Sequence, residues 1–176
     1  MTQVKTYENF RQNIKSGDLL AFTHTTWGTW YDFKVQVVRI WTKSAYTHVG
    51  VAWVTENRIY VFESVVGGIR PSPLSRAGDF WHLNSEAAGG EWCQKAETFM
   101  LDHIGDRYSE WQAFLASINK LDVGSDRFWQ CAEFSIMALK EMGVDLKGVL
   151  ATPAALVDAM QSMGCITTKV LNKERN

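Results

Sequence analysis

HVGVAWVTENRIYVFESV, residues 48–65, holds two runs rich in Val, Ile, Tyr, Phe and Trp on either side of the polar tetrapeptide TENR. Branched and aromatic side chains suit a pleated, half-buried surface, and the polar break supplies a turn, so the stretch predicts a β-hairpin of residues 48–54 and 59–65. With the turn centred near Glu56 and Asn57, position 48 lies opposite position 65, and the period of two carries Glu63 onto the face that bears His48. Direct or diagonal neighbours on one face stand ~4.5 to 8 Å apart at Cβ, within reach of a carboxylate and an imidazole. A slip of one residue would put the two on opposite faces, so the pairing depends on the turn.

Outward from the hairpin, a strand is expected at DLLAF (residues 18–22) and others near IRPSPL, at FWHL and at ITTKV. Tyr7, Phe10 and Ile14 recur at helical spacing before Gly17, predicting a short amphipathic helix over residues 6–15. In DFKVQVVRIWTKS the apolar Phe33, Val37, Ile40 and Trp41 fall on one helical face, with Asp32 at its positive end. Trp92, Ala96, Phe99, Met100 and His103 or Ile104 trace a helix ending at Gly105, and Phe134, Met137, Ala138 and Met142 trace another ending at Gly143. TPAALVDAMQSMG has Thr152 as N-cap, Pro153 at the first helical position and Gly164 as C-cap. Strands flanked by helices without regular β-α-β alternation give an α+β class with a mainly antiparallel sheet packed against helices.

The chain has 176 residues, with no repeat, low-complexity tract or linker, and reads as one domain with one core. Its 18 Lys and Arg balance 19 Asp and Glu without any block of like charge, which argues against a nucleic-acid partner. Cys93, Cys131 and Cys165 are odd in number, widely spaced and lack a CxxC, so neither a disulfide framework nor a zinc knuckle is expected. His24, His48, His82 and His103 show no ligand-like spacing, so no metal and no other cofactor is expected. The N-terminal MTQVKTYENFRQNIKSGD has no apolar signal region and no window is apolar enough to span a bilayer, giving a cytoplasmic product as synthesised. A phage protein of this kind would leave its cell by lysis or in a virion. Of the 8 tryptophans most are expected in the core, but TTWGTWYDF clusters aromatics beside glycine and offers a groove lining.

A histidine held by a carboxylate has its tautomer fixed and its protonated form favoured, the state a general base beside a nucleophile needs. The candidate nucleophile is Cys131 in RFWQCAEFSIMALKEMG, at the start of the helix that runs to about Met142. There the free backbone N–H groups and helix dipole favour thiolate and are placed to hold an oxyanion. Each residue also has a plain structural role open to it: a satisfied sheet histidine, a solvated carboxylate, a small buried thiol.

The order of the pieces is more specific than any one of them. SGDLLAF, a helix, SAYTHVGVAW, RIYVFESVVGGIRPSPLS, HIGDRYSEW and FWQCAEFSIMALKEMGVD, running from about Gly17 to Val170, resemble the circularly permuted papain-like amidases. These are the YiiX-like branch of the NlpC-type cysteine peptidase superfamily, with lecithin:retinol acyltransferase-like proteins as more distant permuted relatives. The resemblance implies a permuted papain-like (NlpC-type) fold, Cys131 as nucleophile, His48 as general base, Glu63 as its orienting partner and Tyr108 near the oxyanion. Where the family often reads Cys-Ser-Glu, this chain has Cys131-Ala132-Glu133, so a serine contact is absent while the glutamate is kept.

The expected function is a thiol hydrolase cleaving an amide, in cell-wall peptide or in an acyl-amide, through an acyl-enzyme. Two others stand beside it. One is a structural or binding use of the same fold, for instance in a phage virion. The other is lipid acyl transfer, supported by Trp27, Trp30, Tyr31 and Phe33. The partner is accordingly a peptide, acyl-amide or lipid substrate.

Overall fold

Residues 19–21, Leu-Leu-Ala, are apolar in succession and all fully buried, which marks a strand covered on both faces. A computed structural model describes residues 3–23, 46–65, 67–108 and 128–172, with the backbone alone at 3, 107, 108, 128 and 129. In it this stretch is β2 (Leu19–Phe22), the middle of a seven-stranded sheet. The other strands are β1 (Gln3–Thr6), β3 (His48–Val54), β4 (Ile59–Val65), β5 (Gly68–Pro73), β6 (Phe80–Leu83) and β9 (Thr167–Leu171), in the spatial order β1-β9-β6-β2-β3-β4-β5. Within this sheet, among the described residues, only β1 and β9 run parallel and the other pairings are antiparallel. β7 (Arg107–Tyr108) and β8 (Phe128–Trp129) form a separate two-residue parallel pair beside β5. The α+β class with a mainly antiparallel sheet is as expected.

Helices cover one face of the sheet. They are α2 (Gln94–Asp102), α3 (Cys131–Glu141) and α4 (Pro153–Ser162). Leu19, Ala21, Val49 and Leu83 pack there with Ala132, Ile136, Leu139, Leu156 and Met160. Next to them Val51 and Phe62 meet Phe134 and Ala138 of α3. The alternate residues Leu20, Ala52, Val61, Phe80 and Val170 face the other way, onto Tyr7 and Ile14. The short α1 (Tyr7–Phe10) carries Tyr7. At the head of α4 the Thr152 hydroxyl accepts the Ala155 N–H at 3.2 Å, Pro153 opens the helix, and Gly164 follows its end at φ 98°.

The N-terminal segment departs from expectation. Thr6 is extended and ends β1, and helical backbone runs only from Tyr7 to Asn13 before Ile14 extends again. The Tyr7/Phe10/Ile14 spacing marks burial against the sheet, not a ten-residue helix. The helix expected in DFKVQVVRIWTKS and the aromatic cluster at TTWGTWYDF lie outside the described residues.

One buried polar cluster ties the chain before β2 to β6. Asp18 is 0 % exposed; its Oδ2 accepts the His82 Nε2–H at 2.7 Å and the Lys15 N–H at 2.7 Å, and its Oδ1 accepts the Ser85 N–H at 3.2 Å. Burial of a carboxylate on this scale is tolerated because its oxygens are satisfied.

Candidate active site

The β3–β4 register pairs Val51 with Phe62 and Val54 with Ile59. Continued outward it sets Gly50 against Glu63 and His48 against Val65, the alignment expected from a turn at Glu56 and Asn57. His48 and Glu63 are thus diagonal neighbours, and the His48 Nε2–H donates to Glu63 Oε2 at 2.9 Å. Both are mostly covered, with side chains 19 % and 13 % exposed. The Phe22 ring, directly across from His48 in β2, lies 5.8 Å from the imidazole between centroids.

Gly50 makes the close approach of the two strands feasible. A Cβ there would stand 2.5 Å from Val61 Cγ2 and 2.6 Å from the Phe62 carbonyl oxygen. Gly50→Ala is expected to push β4 away from β3, costing about 1 to 3 kcal/mol and parting His48 from Glu63. A urea midpoint equal to that of the native chain would contradict this.

Cys131 enters from the helical face. It is the first residue of α3, half-buried, and its sulfur bonds to the His48 side chain and accepts the backbone N–H groups of Val49 and Ala132. The β3–β4 pairing stops at Val51, and beyond it the Val49 N–H serves the sulfur. The helix begins without a side-chain cap at Gln130, so the thiol meets backbone donors at the positive end of the helix dipole.

These contacts shift all three groups. Burial alone would lower His48, but its bonds to Cys131 and Glu63 and their negative charge outweigh it and push the imidazole up to about 10. Burial alone would raise the Cys131 thiol; His48 and the Val49 and Ala132 N–H groups reverse this and hold it below the ordinary range. Glu63 likewise stays below the usual carboxylate range, because the bonds from His48 and Ser72 and the nearby Arg70 charge overcome burial. The arrangement favours a thiolate–imidazolium pair backed by a carboxylate.

The other cysteines differ. Cys165 is buried, donates to the Asn84 carbonyl at 3.1 Å and is pushed up by burial. Cys93 donates to the Glu141 carbonyl at 3.4 Å. All three are free thiols.

The backbone pairs Tyr108 with Trp129, two residues before Cys131; the Tyr108 side chain lies outside what is described. Glu133 is buried in the first turn of α3. Residues missed by sequence reasoning include Ser72, whose hydroxyl donates to Glu63 Oε1 at 2.7 Å, and Arg70, whose Nε donates to the same oxygen at 3.4 Å. The signal was there in principle: once β5 pairs Val65 with Gly68, Arg70 falls opposite Glu63 and Ser72 opposite Val61. The second buried histidine–carboxylate pair, His82 with Asp18, belongs to the strand connections and not to this site.

No protein-family model matches the chain, and a search of curated proteins finds no match. Among solved structures, the chain is similar to the metalloprotein YiiX from Escherichia coli O157:H7, DUF1105, at 19 % identity and a TM-score of 0.52, covering 92 % of this chain and 90 % of that one. "Metalloprotein" describes that protein. Among the described residues here, no group of three or more His, Cys, Asp or Glu side chains is disposed to hold a metal ion, and both His48 nitrogens are engaged by Glu63 and Cys131. No helix of the described residues is long and apolar enough to cross a membrane. What the likeness shows is the fold: an α+β arrangement of the YiiX-like kind, spanning nearly the whole chain.

Proposed function

We propose that the chain is a thiol hydrolase of the permuted papain-like, NlpC-type kind, acting on an amide bond through Cys131, His48 and Glu63. The observation that carries the reading is the single imidazole bonded at once to a carboxylate and to a cysteine at a helix start. The Cys131 thiolate attacks the amide carbonyl carbon, forming a C–S bond and an oxyanion, which the N–H groups around the first turn of α3 stabilise. As the C–N bond breaks, the His48 imidazolium gives its proton to the leaving nitrogen. Neutral His48 then takes a proton from water, whose oxygen attacks the thioester; the acid departs and the thiolate–imidazolium pair returns. Glu63 stays ionised throughout, holding the ring's tautomer and stabilising its charge. Tyr108 is assigned to the oxyanion side by family resemblance and by its backbone pairing with Trp129. Cell-wall peptide and acyl-amides are the proposed substrate classes; an acceptor other than water would make the same site an acyltransferase.

Iodoacetamide alkylation followed by peptide mass mapping tests the nucleophile without a known substrate. An ordinary thiol, with a pKa near 8.5, gains about tenfold in rate per pH unit below that value. Cys131 is expected to react at least about tenfold faster than Cys93 and Cys165 at pH 6, with a rate almost level between pH 6 and 8. A Cys131 rate that climbs with pH like that of an ordinary thiol would overturn the reading.

A further inference from the structure

The Glu63 side chain has three rotatable torsions, and a bond to His48 through Oε2 alone would leave it free to pivot. Its other oxygen is occupied. Ser72 donates to Oε1 at 2.7 Å, a length typical of a strong hydroxyl-to-carboxylate bond. Arg70 adds Nε at 3.4 Å and Nη2 at 3.5 Å, from a side chain 61 % exposed. Both come from β5, the strand outside β4, where the period of two turns Arg70 and Ser72 to the face of Glu63. Among the described residues the groups bonded to Glu63 are therefore His48 from β3 and Arg70 and Ser72 from β5, with Cys131 beyond the imidazole.

We propose that Ser72, assisted by Arg70, is the positioning residue of this site, fixing Glu63 so that its Oε2 alone is presented to His48. This rests on the thiol hydrolase reading for its effect on Cys131, though the constraint on His48 stands without it. Ser72 outranks Arg70 because its bond is short and half-buried, whereas an exposed, long guanidinium contact is screened by solvent and salt. Without Ser72 the carboxylate turns toward water and the imidazolium loses part of its support. His48 then releases its proton at lower pH, and the thiolate, deprived of a full counter-charge, takes one up at higher pH. The window in which the pair is charged narrows from both sides, an effect that a merely structural role for Ser72 would not produce.

The test follows Cys131 alkylation by iodoacetamide against pH, and His48 ring titration by NMR, in the full chain and in Ser72→Ala, Ser72→Thr and Arg70→Ala. Ser72→Ala is expected to move the acid limb of the Cys131 alkylation profile up by about one pH unit, a loss of about tenfold on that limb and the worth of one hydrogen bond to a charged group, and to lower the His48 titration midpoint. Ser72→Thr restores both, and Arg70→Ala gives a smaller loss that vanishes in 1 M salt. Profiles for Ser72→Ala that superimpose on the native ones overturn the proposal. Should native Cys131 behave as an ordinary thiol, the hydrolase reading fails, and the NMR midpoint still decides the role of Ser72.

Discussion

As the proposed thiol hydrolase, a Cys131→Ala chain is expected to fold normally, form no acyl-enzyme and hydrolyse amide substrate at least about 10³-fold more slowly than the native chain. The side chain is half-buried and small, so its loss disturbs little packing. His48→Ala brings a comparable loss by a different route. The sulfur sits where burial disfavours charge and is held as thiolate chiefly by His48. Removing the imidazole leaves the desolvation opposed only by the Val49 and Ala132 N–H groups, so Cys131 becomes far less reactive than in the native chain. Because the two residues act as one unit, the Cys131→Ala/His48→Ala double variant is no slower than either single variant. Rates measured with a panel of peptide and acyl-amide substrates check this; hydrolysis that survives Cys131→Ala would point to another nucleophile. The proposed activity of the native chain is expected to be bounded on the alkaline side near the His48 value of about 10, above which no imidazolium remains to protonate the leaving amine. On the acid side it falls as Cys131 and Glu63 take up protons, below their ordinary ranges.

Asp18→Ala acts on stability instead. Three donors, His82 Nε2–H and the N–H groups of Lys15 and Ser85, lose their acceptor in one step. Removing one partner of a buried pair costs about 3 to 5 kcal/mol, roughly 6 to 20 °C in Tm for a chain of this length. Asp18→Asn keeps an acceptor and recovers part of the loss. Calorimetry of the two variants measures the difference, and a Tm for Asp18→Ala within about 2 °C of native would show that solvent satisfies these groups after all. Alkylation of Cys131 in the folded fraction stays as in the native chain, since Asp18 makes no contact with His48, Glu63 or Cys131 among its described bonds.

What the sequence made legible follows the range of the interactions. The hairpin of β3 and β4 forms between neighbours, so composition and turn placement were enough to give both strands, their register and the His48–Glu63 contact. The ends of α4 were equally local, fixed by Thr152, Pro153 and Gly164. β1 was not foreseen, because Gln3–Thr6 is a four-residue edge strand whose partner, Thr168 onward, lies at the far end of the chain; no local signal marks it. The meeting of Cys131 with His48 has the same character. Nothing in their spacing implies contact, and only resemblance to a known order of motifs brought them together beforehand. Ser72 escaped notice because the strand expected near IRPSPL had no register, and so no face for its serine, until the β4–β5 pairing supplied one.

β5 is the last strand of the sheet, and strands in that place often recruit a further chain through their unpaired N–H groups. Here Ile69 gives its N–H to the Asp106 carbonyl at 3.0 Å and its own carbonyl takes the Gly105 N–H at 2.9 Å. Pro71 and Pro73, which follow at the same parity, have no N–H to offer. The margin beside Glu63 is thus closed to templating. An aggregating neighbour or an extended peptide finds no run of donors there to lengthen the sheet, so a peptide substrate of the proposed hydrolase would be gripped by side chains at the mouth of the site rather than woven into the sheet beside it.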